Sequence, residues 1–138
     1  MLGEREYKDI KVGESASASR TITAADVDSF AELTGDFNPI HVDEEFAQRT
    51  RWGGRIAHGM LVAGLVTQTL SELGGDGAVH TSQEVSFRAP VRIGDTVTVT
   101  SEVTGKTEEK RRLLIASTWT NQDGVTVITG KGELLLPR

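Results

Sequence analysis

The hydrophobic pattern along this chain changes period twice. Residues 7–22 scatter apolar positions at Ile10, Val12 and Ile22 through a small, polar background, and predict one weakly patterned strand near 14–22. Thr23-Ala24-Ala25-Asp26 then has the form of a capping box, with Thr23 as N-cap and Asp26 three residues on. Val27, Phe30, Ala31 and Thr34 follow at helical spacing, and Gly35 is placed to end that helix. Asp43 is a second N-cap, with Glu44 and Glu45 suited to the positive end of a short helix reaching Gln48. From Ile56 to Leu73 the pattern predicts one longer helix, apolar nearly all round in its first half and so buried on most faces. Gly59 and Gly64 each weaken that helix by about 1 kcal/mol relative to Ala, which implies a close backbone approach by another element or a ligand. Gly74-Gly75-Asp76-Gly77 stops it.

Beyond that stop the period falls to two. Residues 79–89, 96–104, 113–121 and 125–136 are rich in Val, Thr and Ile and predict four strands. Turn signals at 90–95, 105–110 and 121–124 separate them. The order predicts an α+β fold in a single domain spanning 1–138, with the apolar helix packed on one face of a curved antiparallel sheet. A helix this apolar needs cover beyond one sheet, which hints at a dimer.

Composition narrows the function classes. A chain of 138 residues holds one ordinary domain with its own core. A net charge of −5 argues against a nucleic-acid partner. The lack of cysteine removes disulfides, thiolate metal sites and cysteine nucleophiles, and agrees with a reducing compartment. The first eight residues, from Met1 to Lys8, carry charge and no apolar run of the signal-peptide kind. The longest apolar stretch, 56–66, falls short of the about 20 residues of a membrane span. The expectation is a soluble cytoplasmic protein with no membrane partner.

The candidate chemistry sits between the first two helices. Asp36 and His41 lie five residues apart, with Asn38 and Pro39 between them. Taken singly, Asp36 beside a glycine reads as a turn former. Paired with an imidazole in a short, proline-stiffened loop, it reads as an acid beside a base. Asn38 and Pro39 then hold the loop. His58, ahead of the buried helix, is expected to bond to backbone and order the Gly59 turn, and His80 is an edge residue. Asp36, His41, Asp43 and His58 fit no metal-ligand spacing, so no metal is expected. Among the basic residues, Arg51 and Arg55 are the best candidates for phosphate contacts; Lys110-Arg111-Arg112 reads as a solvated edge. Phe37, Trp52, Met60, Val62 and Phe87 are candidates to line an apolar tunnel.

The run Asp36-Phe37-Asn38-Pro39-Ile40-His41, followed by Gly53-Gly54-Arg55-Ile56-Ala57-His58-Gly59-Met60-Leu61, resembles the MaoC-like hydratase family, which includes the (R)-specific enoyl-CoA hydratases. The resemblance covers nearly the whole chain. It implies a hot dog fold, in which an antiparallel sheet wraps a central helix, and a homodimer with substrate tunnels near the subunit interface. It implies that Asp36 and His41 are the catalytic pair and that the Gly59 backbone N–H is the oxyanion donor. Related hydratases often carry a serine one turn into the central helix; here that place falls on Gly64, which would alter the surroundings of the pair and widen the acyl tunnel. The implied activity is reversible hydration of trans-2-enoyl-CoA to (R)-3-hydroxyacyl-CoA, with coenzyme A part of the substrate and no further cofactor. A (3R)-hydroxyacyl-ACP dehydratase is the alternative, ahead of a hot dog thioesterase or a non-catalytic acyl-binding module.

Overall fold

The computed structural model describes residues 3–137. Met1 and Leu2, which belong to the charged N-terminal stretch, and Arg138 lie outside the described residues. Strand β1 (Ser15–Thr21) leads into α1 (Ala24–Thr34), α2 (Pro39–Val42) and α3 (Glu44–Gln48). Two further helices, α4 (Gly59–Ala63) and α5 (Val66–Gly74), precede β2 (Val79–Phe87), β3 (Thr96–Thr107), β4 (Arg112–Thr120) and β5 (Thr126–Leu135).

Local signals set the helix ends. Thr23 Oγ1 accepts the Asp26 N–H at 3.1 Å, and Asp26 Oδ2 accepts the Thr23 N–H at 3.0 Å, so the capping box forms as the spacing predicts. Gly35 takes the left-handed conformation at φ 81° and donates to the Ala31 carbonyl, which closes α1 just before Asp36. The Arg20 guanidinium, 2.6 Å from Asp26, together with the Thr23 N–H, lowers the Asp26 carboxyl from its ordinary 3.8 to about 2. A depressed carboxyl contributes stability that is present above its unfolded value and lost as pH falls through the folded one. The stability gap between the wild type and Asp26→Asn is therefore expected to be flat above pH 3.8, to narrow below it and to close near pH 2. Urea titrations at a series of pH values measure that gap; one that persisted unchanged at pH 2 would contradict the assignment.

The five strands form one antiparallel sheet in the order β1-β3-β4-β5-β2. Alternate residues face inward. Val97, Val99, Ser101 and Val103 of β3 are buried, as are Leu113, Ile115, Ser117 and Trp119 of β4. Helix α5 lies across β1, β3 and β5 and buries Val66, Thr69, Leu70 and Leu73, the i, i+3, i+4, i+7 stripe. Each buried leucine contributes about 1.5–3 kcal/mol relative to exposure. β3 continues to Thr107, past the turn expected at 105, because a register shift at Gly105 carries the pairing onward. Among the described residues, no helix is long and apolar enough to cross a membrane.

The single helix expected over 56–73 is a correction. Residues 56–58 are not helical, since Ile56 bridges to Arg92 and Ala57 donates to the Val91 carbonyl at 2.7 Å. The remainder divides at Gly64-Leu65. Trp119 Nε1 on β4 donates to the Val62 carbonyl at 2.9 Å, and that carbonyl then takes the Leu65 N–H at 3.1 Å in a tightened turn. A side chain inserted into the helical ladder breaks its regular bonding.

Between α5 and the sheet runs a buried chain of hydroxyls. Thr69 Oγ1 donates to the Val66 carbonyl at 2.8 Å, so its partner Ser101, also at 2.8 Å, must donate to Thr69. Ser101 has then spent its one proton, and Ser117, 2.6 Å away, must donate to Ser101. Ser101→Ala leaves the buried Ser117 hydroxyl with no acceptor here. The expected loss is about 1–3 kcal/mol of unfolding free energy by urea titration, and an unchanged midpoint would refute the directed chain.

Candidate active site

The segment from Thr34 to His41 is built from side-chain oxygens that bond to backbone two residues on. Thr34 Oγ1 accepts the Asp36 N–H at 3.3 Å, Asp36 Oδ1 the Asn38 N–H at 3.1 Å, and Asn38 Oδ1 the Ile40 N–H at 3.2 Å. Asn38 thereby caps α2, and Pro39 occupies its first position, where a missing N–H costs nothing. The short helix α2, which the sequence read only as a tight connection, carries His41 in its last turn.

His41 Nδ1 lies 2.8 Å from the Ile56 carbonyl. A carbonyl only accepts, so Nδ1 carries the proton, and Nε2 of the neutral ring keeps its lone pair. His58 Nε2 lies 3.0 Å from the Asp36 backbone carbonyl, which by the same argument makes it the donor. The two imidazoles stack with centroids 4.0 Å apart, and Phe30 meets the His58 ring edge-on at 4.9 Å. His58 therefore does more than order the Gly59 turn. It is 4% exposed, holds the Asp36 backbone and backs the His41 ring. Ligand-type atoms of Asp36, His41 and His58 lie within 4.8 Å of one another, a convergence that linear spacing did not predict. Stacked rings hold their lone pairs in nearly parallel planes, 29° apart, whereas a shared ion needs both to aim at one point. The arrangement suits proton handling better.

These groups open onto a cavity of about 660 Å³. Trp52, Met60, Val62 and Phe87 line it, as expected, and so do Asp36, His41, His58 and Gly59. A Cβ added at Gly59 would lie 2.6 Å from the Phe87 ring, so glycine here answers a close approach by another element. Arg51 reaches the lining with its guanidinium 4.2 Å from the centre of the Trp52 ring. Sequence reasoning missed most of the remaining wall, formed by Phe30, Thr34, Ile56, Ala57, Ile128 and the 88–91 segment. Its signal was weak: Pro90 interrupts a strand pattern, and Arg88 was only one basic residue among several.

Three expectations about the surroundings are corrected. Phe37 is 56% exposed and lies outside the cavity lining, whereas Asp36, its exposed neighbour in the loop, is part of it. Arg55 is not placed for phosphate either. Its side chain is 12% exposed, with Nε bonded to the His41 carbonyl and Nη2 to Asp28, each at 2.5 Å. Gly64 does not face the catalytic groups. It borders a separate groove with Ala18, Ser19, Arg20 and Thr67, and an added Cβ would meet only carbonyls of its own helix, at 3.3 and 3.4 Å. Helical rotation over the five residues from Gly59 carries it to another face.

Residues 8–123 match the MaoC like domain family. The chain is 46% identical over 132 residues to an (R)-specific enoyl-CoA hydratase of Rhodospirillum rubrum, covering 95% of this chain and 91% of that protein. It is 46% identical over 133 residues to a 3-hydroxybutyryl-CoA dehydratase of Methylorubrum extorquens, covering 96% and 84% respectively. Its fold superimposes on the solved (R)-hydratase from Aeromonas caviae with a TM-score of 0.91 and 38% identity, over 94% of this chain and 99% of that one. A family match over most of the length and a shared backbone course agree, and the chain belongs to the MaoC-like dehydratase family, with its hot dog fold.

Proposed function

We propose that this protein catalyses the reversible addition of water to trans-2-enoyl-CoA, giving (R)-3-hydroxyacyl-CoA. One observation carries the reading: a histidine lone pair and a carboxylate converge at the wall of a mostly apolar cavity, beside a helix-opening glycine. In the hydration direction, His41 Nε2 takes one proton from water as the water oxygen bonds to carbon 3. Asp36 holds the same water and supplies the proton to carbon 2, and transfer from His41 back to Asp36 resets the pair. The Gly59 N–H, in the first turn of α4, has no helical partner of its own and is directed to the thioester oxygen as charge builds there. A donor of this kind contributes about 3–4 kcal/mol to lowering the barrier. Phe30 packs on His58, which stacks on the His41 ring, and both line the cavity. The (R) configuration rests on the named activity of the Rhodospirillum rubrum relative. Coenzyme A belongs to the substrate, so the step needs no separate cofactor.

Following enoyl absorbance and free thiol together with crotonyl-CoA tests this reading. Loss of absorbance without thiol is the expected result, with (R)-3-hydroxybutyryl-CoA on chiral analysis; thiol release would make the protein a thioesterase. Arg51 and Arg88 line the cavity of an otherwise acidic chain. That charge also suits an acidic carrier protein, so the second reading is a (3R)-hydroxyacyl-ACP dehydratase. Comparing kcat/KM for crotonyl groups on CoA and on carrier protein decides between them. A homodimer is part of the proposal. The sheet ends at β2, whose open edge exposes Val79 and Phe87, and light scattering reads the mass.

A further inference from the structure

Asp36 hangs from the end of α1, while His41 rides on α2. Only four residues join them in the chain, and beside the local bonds within that loop their separation is also held from outside it. Arg55 does so from three sides. Nη2 donates to Asp28 Oδ1 on α1 at 2.5 Å, Nε donates to the His41 carbonyl at 2.5 Å, and its backbone N–H donates to Glu44 Oε2 on α3 at 3.3 Å. The next residue extends the grip. The Ile56 N–H donates to the Ile40 carbonyl at 3.3 Å, and the Ile56 carbonyl accepts from the His41 ring at 2.8 Å.

We propose that Arg55 is a positioning residue that sets the placement of Asp36 relative to His41 by tying α1 to the His41 backbone. The proposal rests on the reading of Asp36 and His41 as the acid/base pair. A guanidinium presents its donors in a rigid planar fork, so one side chain serves two acceptors at a fixed angle. The acceptor on α2 is the carbonyl of the catalytic residue itself, and rotation there would swing Nε2 away from the cavity. A phosphate that engaged Nε or Nη2 would have to displace the His41 carbonyl or Asp28 from a side chain that is 12% exposed.

The test compares Arg55→Met, Arg55→Lys and Asp28→Asn with the wild type. Arg55→Met is expected to lower kcat for crotonyl-CoA by about 10- to 100-fold, with KM changed less than about 3-fold. Arg55→Lys reaches one acceptor and recovers part of that loss. Histidine-ring 15N NMR supplies a readout independent of turnover: the Nδ1-H signature of His41 is expected to broaden or mix with the other tautomer in Arg55→Met. A raised KM at unchanged kcat would instead make Arg55 a substrate contact and overturn the proposal. So would unchanged kcat with unchanged ring signals. If Arg55→Met does not fold, Asp28→Asn, at a side chain 56% exposed, decides. A kcat lowered about 3- to 10-fold supports the proposal, and one within about 2-fold of wild type overturns it. His41→Ala measured alongside separates the two readings. Turnover retained by His41→Ala defeats the acid/base assignment, whereas turnover lost there but kept by Arg55→Met defeats only the role of Arg55.

Discussion

His41→Ala is expected to lower kcat for crotonyl-CoA hydration by about 10³- to 10⁴-fold while the protein stays folded. The substitution removes the only lone pair that the hydrogen-bonding pattern leaves to His41, the one on Nε2. His58 is buried, its Nε2 is held by the Asp36 carbonyl, and its ring stacks on that of His41. The structural cost is modest, because the Ile56 N–H still meets the Ile40 carbonyl and α2 keeps its Asn38 cap. KM is expected to move little, since the cavity wall is otherwise unchanged. Steady-state kinetics with circular dichroism checks both parts, and a folded variant within tenfold of wild type would sink the mechanism.

Asp36→Asn is expected to lower kcat by about 10²- to 10⁴-fold. The exchange is nearly isosteric. The Asn oxygen can still accept the Asn38 N–H that Asp36 Oδ1 accepts at 3.1 Å, so the loop keeps its shape. What disappears is the proton that the carboxyl hands to carbon 2. Because the two groups share one proton cycle, the double variant Asp36→Asn/His41→Ala should be little worse than His41→Ala alone. Losses that multiplied across the two sites would show that they act in separate steps.

Much of the pair was legible in the chain because its framework is local. The capping box at Thr23, the Gly35 stop and the Asp43 cap each depend on residues three or four apart and form as the pattern predicts, and the Asn38 cap of the unpredicted α2 is as local. The strand positions follow from a period of two over eight or more residues, and the observed strands differ from that reading mainly at their ends. The resemblance to a known family added the central helix inside a wrapped sheet, which periodicity does not encode. Arg55 shows the limit most clearly. Its residue type and place beside the site suited a phosphate contact. Nothing in the linear sequence showed that Asp28, twenty-seven positions earlier, would take its charge.

By itself, then, the sequence determined the strands, the ends of α1 and α3, the loop that presents Asp36 and His41, and the glycine that opens α4. All are consequences of backbone preference and short-range hydrogen bonding. The tertiary structure alone decided that His58 would stack on His41, that Phe37 would turn outward and that Gly64 would face β1. It also decided that the central helix would break where Trp119 takes the Val62 carbonyl. Those outcomes depend on partners 17 to 57 residues away or on which side of an element faces the cavity. Local periodicity is blind to both, because a side chain's partner across the fold is chosen by packing and by the need to satisfy every buried polar group.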